Sequence, residues 1–240
     1  MLVIGPAALH SEEKMMLKAS ASWKSLYPKA AVGVVALGNV HNPASHAELD
    51  RQKEALEAAL REAYMDYGRA QLSALPSIAP YVAYYKRFKK TYHVLQQLES
   101  VALKGKPIPR TAALVEAMFM AELKNQLLTA GHDLDLVQEP VSVTVARGDE
   151  VYAGISGREI ETKAGDMVIR DAEGILSSIV YGPDERTKIR PETQRVIFTV
   201  YAPAGIEPGP LAGHLNDLKR FVEVISPEAE VIEERIVEAG

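Results

Sequence analysis

The chain has no cysteine in its 240 residues. That excludes a disulfide framework, a thiolate nucleophile, a cysteine zinc site and an iron–sulfur cluster. Long apolar runs are also missing: the longest, AAVGVVALG (30–38), is about half of what a bilayer span requires. The opening stretch MLVIGPAALHSEEK lacks a basic leader region and its apolar run is broken by Pro6, so no signal peptide is expected. A soluble, cytoplasmic protein without a membrane partner is the expectation. Positive charge is not in excess either. Lys+Arg 27 against Asp+Glu 32 gives a net charge of −5, which excludes a strongly basic nucleic-acid coat but leaves room for a local basic face. No glycine-rich phosphate loop, dinucleotide fingerprint, HExxH or GxSxG occurs, and there is no internal repeat. His41 and His46 share a loop without a third histidine or a paired carboxylate, so no metal site is expected. No residue pattern calls for a cofactor.

The composition that remains, 47% hydrophobic and 25% charged, is that of a globular protein with a sizeable core. Residues 13–20 and 30–38 are short enough for strands, although the first suits a helix equally. Ser45, three residues ahead of Glu48, predicts a capping box opening a long helix over 46–72, with Leu49, Ala55, Leu56, Ala59, Leu60, Ala63 and Tyr64 on one face. A second helix follows at about 79–104, with a break near Thr91, then a linker at 105–109. Residues 109–128 predict a helix apolar nearly all round, hence buried. AGHDLD (130–135) reads as the loop that ends it.

After residue 139 the pattern changes to alternation. Val141, Val143 and Val145 predict a half-buried strand, 167–182 a hairpin turning at 171–174, and 194–203 a further strand. Residues 211–225 form an amphipathic helix, and the tail suits strand or helix. Helices gather early and strands late, which predicts an α+β fold rather than alternating βαβ units. The expected arrangement is a single domain over 1–240, with a mixed sheet or sandwich core packed by helices and a helical insertion at about 45–106.

Three stretches invite chemistry. In YVAYYKRFKKTYHVL (81–95), helical geometry puts Tyr81, Tyr84, Tyr85, Phe88, Tyr92 and Leu95 on one stripe, a core pattern. Lys86, Arg87, Lys89 and Lys90 then take the other side, either as a solvated face or as a phosphate-binding surface. In GPDERTKIRPET (182–193), an extended chain places Asp184, Arg186, Lys188 and Arg190 on one face, with Thr187 and Ile189 opposite. That is a salt-bridged loop or an anion site, and the residues alone leave both open. Glu116 and Glu122 stand among apolar neighbours, where a carboxylate has to be paired or protonated.

The order of LVEAMFMAELKNQLLTAGHDLD (114–135) and DAEGILSSIVYGPDERTKIRPET (171–193) resembles the editing and tRNA-binding domain of phenylalanyl-tRNA synthetase β subunits. Val115-Glu116, Asp133-Leu134-Asp135 and Glu192-Thr193 resemble motifs of that domain. Lys104-Gly105-Lys106-Pro107 and Arg186-Thr187-Lys188-Ile189 resemble stand-alone relatives built on it. The resemblance spans about 13–205 and includes nothing like the aminoacylation module. It implies tRNA or aminoacyl-tRNA as partner, and hydrolysis in trans of a mischarged ester as the activity. A non-catalytic binder of tRNA or a free amino acid is the alternative, and no DNA is expected. Carried over, it implies His132, Lys188 and Glu192 as catalytic groups. Arg186, Thr187, Asp133, Glu116 and Thr193 would hold substrate, and Lys86, Arg87, Lys89 and Lys90 the RNA. Where the family has its histidine this chain has Ala130, with His132 two residues on. Its tyrosine-reading glutamate is replaced by Lys188 and its double glycine by Pro183-Asp184. A charged lysine cannot accept a hydrogen bond, so tyrosine recognition is expected to be lost.

Overall fold

Two sheets divide most of the strands. The computed structural model describes residues 17–240; positions 13–16 of the first expected strand, and the opening stretch 1–14, lie outside the described residues. In chain order the first elements are β1 (Lys18–Ala19), α1 (Ala21–Leu26), β2 (Ala31–Gly38), α2 (Ala47–Ala63), α3 (Arg69–Ser73), α4 (Ala79–Arg87) and α5 (His93–Leu98). A π-helical turn (Glu99–Leu103), α6 (Ala113–Asn125), β3 (Leu128–Asp133) and a 3-10 turn (Leu134–Leu136) follow. The second half adds β4 (Ser142–Val145), β5 (Val151–Ala153), β6 (Glu159–Glu161), β7 (Met167–Arg170), β8 (Ile175–Ser178), β9 (Gly182–Pro183), β10 (Val196–Ala202), α7 (Pro208–Ile225) and β11 (Glu230–Glu238).

One sheet runs β1-β4-β7-β8-β9, mixed because β1 pairs parallel to β4. The other runs β11-β2-β10-β3, all antiparallel, and β5-β6 is a separate hairpin. The fold is α+β, with helices α2 to α6 all falling between β2 and β3. The all-apolar run at β2 follows from its place: β10 and β11 pair with its two edges, Leu211 and Leu215 of α7 pack onto Gly33, and successive residues from Val32 to Gly38 are all buried, so both faces are covered.

The aromatic stripe is core. Tyr81, Tyr84, Tyr85, Phe88 and Tyr92 are all buried, and Tyr81 and Tyr92 stack at 4.4 Å between ring centroids. Three of the hydroxyls reach sheet strands or residues next to them. Tyr81 donates to the carbonyl of Tyr201 in β10, Tyr85 to that of Ile179, and Tyr84 donates to Asp166 at 2.7 Å while accepting from the Met167 amide at 2.6 Å. Burial of a phenol without such partners costs roughly 1–3 kcal/mol, so the stripe sets the position of α4 as well as filling space.

Several local expectations are corrected. His46, not Ser45, caps α2: its Nδ1 accepts from the Leu49 amide at 3.4 Å. The helix read over 46–72 is two, α2 ending at Ala63 and α3 starting after Gly68. On α2, Ala55 and Ala59 are exposed, while Lys53 and Glu57 are buried. Glu57 takes the Ile108 amide at 2.8 Å, so hydrogen-bond demand, not hydropathy, fixes the buried face there. Residues 130–133 are not a loop. The helix stops at Gln126, which adopts a left-handed conformation (φ 57°), and β3 begins two residues later with all six positions buried.

Candidate functional site

The segment 184–193 is a latch over β3 rather than an extended strand. It turns at once: the Thr187 amide donates to Asp184 Oδ1 at 3.3 Å and the Lys188 amide to the Glu185 carbonyl at 3.4 Å. The period-two face of Asp184, Arg186, Lys188 and Arg190 therefore does not form. The latch closes on β3 through the Asp133 amide, which donates to the Thr187 carbonyl at 2.7 Å. A Cβ on Gly131 would stand 2.8 Å from Ile189 Cδ1 and 3.1 Å from the Phe198 ring, so a larger residue there would have to displace Ile189.

Under the latch lies a hydrogen-bonded chain. His132, 0% exposed, has its Nδ1 2.8 Å from Thr187 Oγ1, and the Thr187 hydroxyl donates to Asp184. Threonine has one hydroxyl proton, committed to Asp184, so the proton on the other bond belongs to His132 Nδ1. In a neutral ring His132 Nε2 is then the acceptor, and it is buried with no hydrogen-bond partner among the described residues. Beside it, Thr193 donates to Asp133 Oδ2 at 2.7 Å and accepts from the Arg190 amide at 2.9 Å, while Asp133 Oδ1 caps the 3-10 turn through the Asp135 amide at 3.1 Å.

The latch's cations are occupied. Arg186 reaches Asp171 at 2.8 Å, the Leu136 carbonyl at 2.9 Å, Glu173 at 3.3 Å and Asp184 at 3.6 Å. Burial alone would raise the Asp171 carboxyl, but the Gln138 amide and the Arg186 guanidinium hold it below the usual carboxylate range. Lys188 pairs with Glu185 at 3.2 Å. Glu192 is exposed. Glu116 belongs elsewhere: it binds the buried Lys53 and the Thr111 amide, the latter at 2.7 Å, and so ties α2 to α6. Among the residues singled out from the sequence, the structure thus brings His132, Asp133, Thr187 and Thr193 together. Lys188 is half-buried against Glu185, Glu192 is exposed, and Glu116 stands apart.

A second region is open and positive. At the end of α4, Lys86, Arg87, Lys89 and Lys90 are exposed. None of them, nor Lys163 from the loop after β6, makes an ion pair among the described residues. Arg87 instead lies 5.3 Å from the Tyr27 ring centroid and 5.5 Å from that of Tyr84, and Lys90 lies 5.1 Å from that of Tyr181. Arg69, Lys86, Lys89, Lys90 and Tyr92 line a groove of about 540 Å³. Arg87, Lys89 and Lys163 line a neighbouring one of about 320 Å³. Lys89 holds φ 56° where helix ends favour glycine. Lys163 and Arg69 were invisible to sequence reading, because no spacing rule links them to residues 86–90.

Residues 81–207 match the B3/4 domain, more than half of the chain, and the chain belongs to this family, the type found in phenylalanyl-tRNA synthetase β subunits. The latch lies inside the matched stretch, as does the basic end of α4. The chain is also similar to the phenylalanine–tRNA ligase β subunit of Mycoplasma genitalium, 28% identical over 69 residues, which is 29% of this chain and 9% of that protein. Among solved structures it is similar to an N-terminal fragment of the phenylalanyl-tRNA synthetase β subunit from Pyrococcus horikoshii. That likeness has 12% identity and a TM-score of 0.43, covering 93% of this chain and 52% of the fragment.

Proposed function

We propose that this protein binds tRNA or aminoacyl-tRNA through the basic surface at the end of α4, and does so without turning it over. The observation that carries this reading is the set of cations at Lys86, Arg87, Lys89, Lys90 and Lys163, unpaired among the described residues in a chain whose net charge is −5. Like charges gathered on one surface repel each other unless a polyanion neutralises them, and each phosphate contact releases counterions. The phenylalanine–tRNA ligase β subunit has tRNA in its own name; for this chain that likeness and the B3/4 match favour tRNA over other polyanions. The cytoplasm is the fitting compartment. Fluorescence anisotropy with bulk tRNA tests the reading. Lys86→Glu with Lys89→Glu abolishes most of the binding, while His132→Ala leaves it intact. Equal binding by the double variant contradicts it.

A second reading, hydrolysis of mischarged aminoacyl-tRNA in trans, is favoured by one observation, the Nε2 of His132, buried and without a hydrogen-bond partner among the described residues, at the end of its chain to Asp184. It requires the latch to lift, so that His132 serves as general base with Glu192 and Lys188 brought to the ester, and Arg186, Thr187 and Asp133 at the substrate. A panel of mischarged aminoacyl-tRNAs decides it. Release of one amino acid, lost in His132→Ala, supports hydrolysis, and flat release across the panel removes it.

A further inference from the structure

A cavity of about 320 Å³ opens between α5, the π-helical turn and α6, sharing no lining residue with the latch or the basic groove. Pockets of this size hold small molecules, and its walls are chemically uneven. Phe119 and Leu123 of α6, with Val101, supply apolar surface; His93, Gln97 and the exposed Lys106 supply the polar groups. A π-helical turn widens the backbone and recurs at functional sites, and here it carries Ser100 and Val101 into the wall.

The polar groups are unsatisfied in a specific way. The Gln97 carboxamide makes no side-chain hydrogen bond among the described residues, and its Oε1 is fully buried. His93 Nδ1 lies 3.2 Å from the Tyr85 hydroxyl, whose single proton goes to the Ile179 carbonyl. His93 must therefore donate from Nδ1, which leaves Nε2 as an acceptor. Burial holds the His93 pKa down at about 4, so the ring stays neutral. The buried Gln97 Oε1, with nothing to accept, costs free energy that a ligand recovers.

We infer that this cavity binds a planar amine-bearing heteroaromatic ring with an attached anion, namely an adenine nucleotide, its ring against Phe119 and its phosphate at Lys106. A carboxamide offers one donor and one acceptor side by side, the complement of the adenine N6–N7 edge, and the Gln97 side chain has to turn to present its buried Oε1 to the ring. Guanine presents two acceptors on that edge, so one of them meets the Gln97 oxygen and neither finds a donor at His93 Nε2. A free amino acid needs a carboxylate for its ammonium group, and no Asp or Glu lines the cavity. The nucleotide is either free or an unpaired adenosine in RNA. The second case rests on the RNA-binding reading above, and the first does not.

Calorimetric titration of the full chain with AMP tests the assignment, with GMP as the control ligand and with the Gln97→Met and Lys106→Ala variants. AMP binds the wild type, GMP binds more weakly, and each variant loses about tenfold or more in affinity. Gln97→Met removes an unpartnered group, so it folds, and Lys106 is exposed, so its loss is not structural. An A-rich oligonucleotide that shifts the His93 imidazole signals as AMP does, where oligo-U does not, assigns the site to RNA; a shift with AMP alone assigns it to the free nucleotide. No AMP binding up to millimolar concentration, or equal AMP binding by wild type and Gln97→Met, overturns the proposal. Retained tRNA binding in that case leaves the RNA reading standing, whereas loss of tRNA binding with intact AMP binding sinks the RNA reading alone.

Discussion

Two histidines in this protein make the same first bond and sit in opposite surroundings. His132 and His93 each give their Nδ1 proton to a hydroxyl whose own proton is already committed, Thr187 to Asp184 and Tyr85 to the Ile179 carbonyl. Around His132 the chain has closed: a latch with a fourfold-anchored arginine covers β3, and the histidine has no exposed surface. Around His93 the neighbouring carboxamide is left unbonded and the walls stand open on a cavity. The same imidazole–hydroxyl pair is a cross-brace in one place and a recognition edge in the other. What differs is whether the neighbouring polar groups find partners within the fold.

Mutation separates the two cases most strongly at the latch. Thr187→Val strips partners from both His132 and Asp184 and costs about 3 kcal/mol, a fall of roughly 6–12 °C in melting temperature for a chain of this size. Gln97→Met, at the cavity, leaves the melting temperature unchanged or slightly higher. Equal losses at the two positions would erase the contrast.

The regions around β3 and α5 also respond oppositely to pH. Burial raises the Glu122 carboxyl to about 8, only partly offset by the Thr129 amide it accepts at 2.8 Å. Its ordinary value is 4.5, so its contribution is full below pH 4.5 and is lost as pH rises through about 8. His93, held by burial at about 4 against an ordinary 6.5, contributes fully above pH 6.5 and loses that contribution as pH falls through about 4. Glu122→Gln therefore stabilises the protein by about 2–3 kcal/mol at pH 7 and flattens the loss of stability between pH 5 and 8. Denaturant unfolding across that range checks it, and an unchanged slope would locate the titration elsewhere. The smallest effect is at Lys89. Lys89→Gly relieves a left-handed lysine and stabilises by about 0.5–1 kcal/mol, yet weakens tRNA binding. A gain in stability with no loss of binding would mean that Lys89 is positioned by the helix end alone.

The contrast between closed and open regions was only partly legible beforehand. Helical periodicity assigned the stripe from Tyr81 to Tyr92 to the core and put Lys86 to Lys90 outside, because 3.6-residue geometry leaves no other arrangement. Alternation points to β4, and β-rich runs, two of them joined by a turn at 171–174, point to β7, β8 and β10. The strand at His132 escaped notice because it follows an apolar helix directly, with Gln126 rather than glycine or proline making the break. The 184–193 segment was read with the wrong period. Its turn is set by the Asp184 side chain capping the Thr187 amide, a local bond that competes with extension. Gln97, His93 and Phe119 gave no signal. Their meeting depends on how α5 and α6 pack, and a missing hydrogen bond leaves no trace in sequence.

The central claim is that RNA is held by the open basic surface and not by the latch. It is tested most directly by the salt dependence of tRNA binding in the wild type and in the Lys86→Glu, Lys89→Glu double variant. A plot of log affinity against log salt is steep for the wild type and shallower by about two units of slope in the variant. Equal slopes and equal affinities would contradict the account.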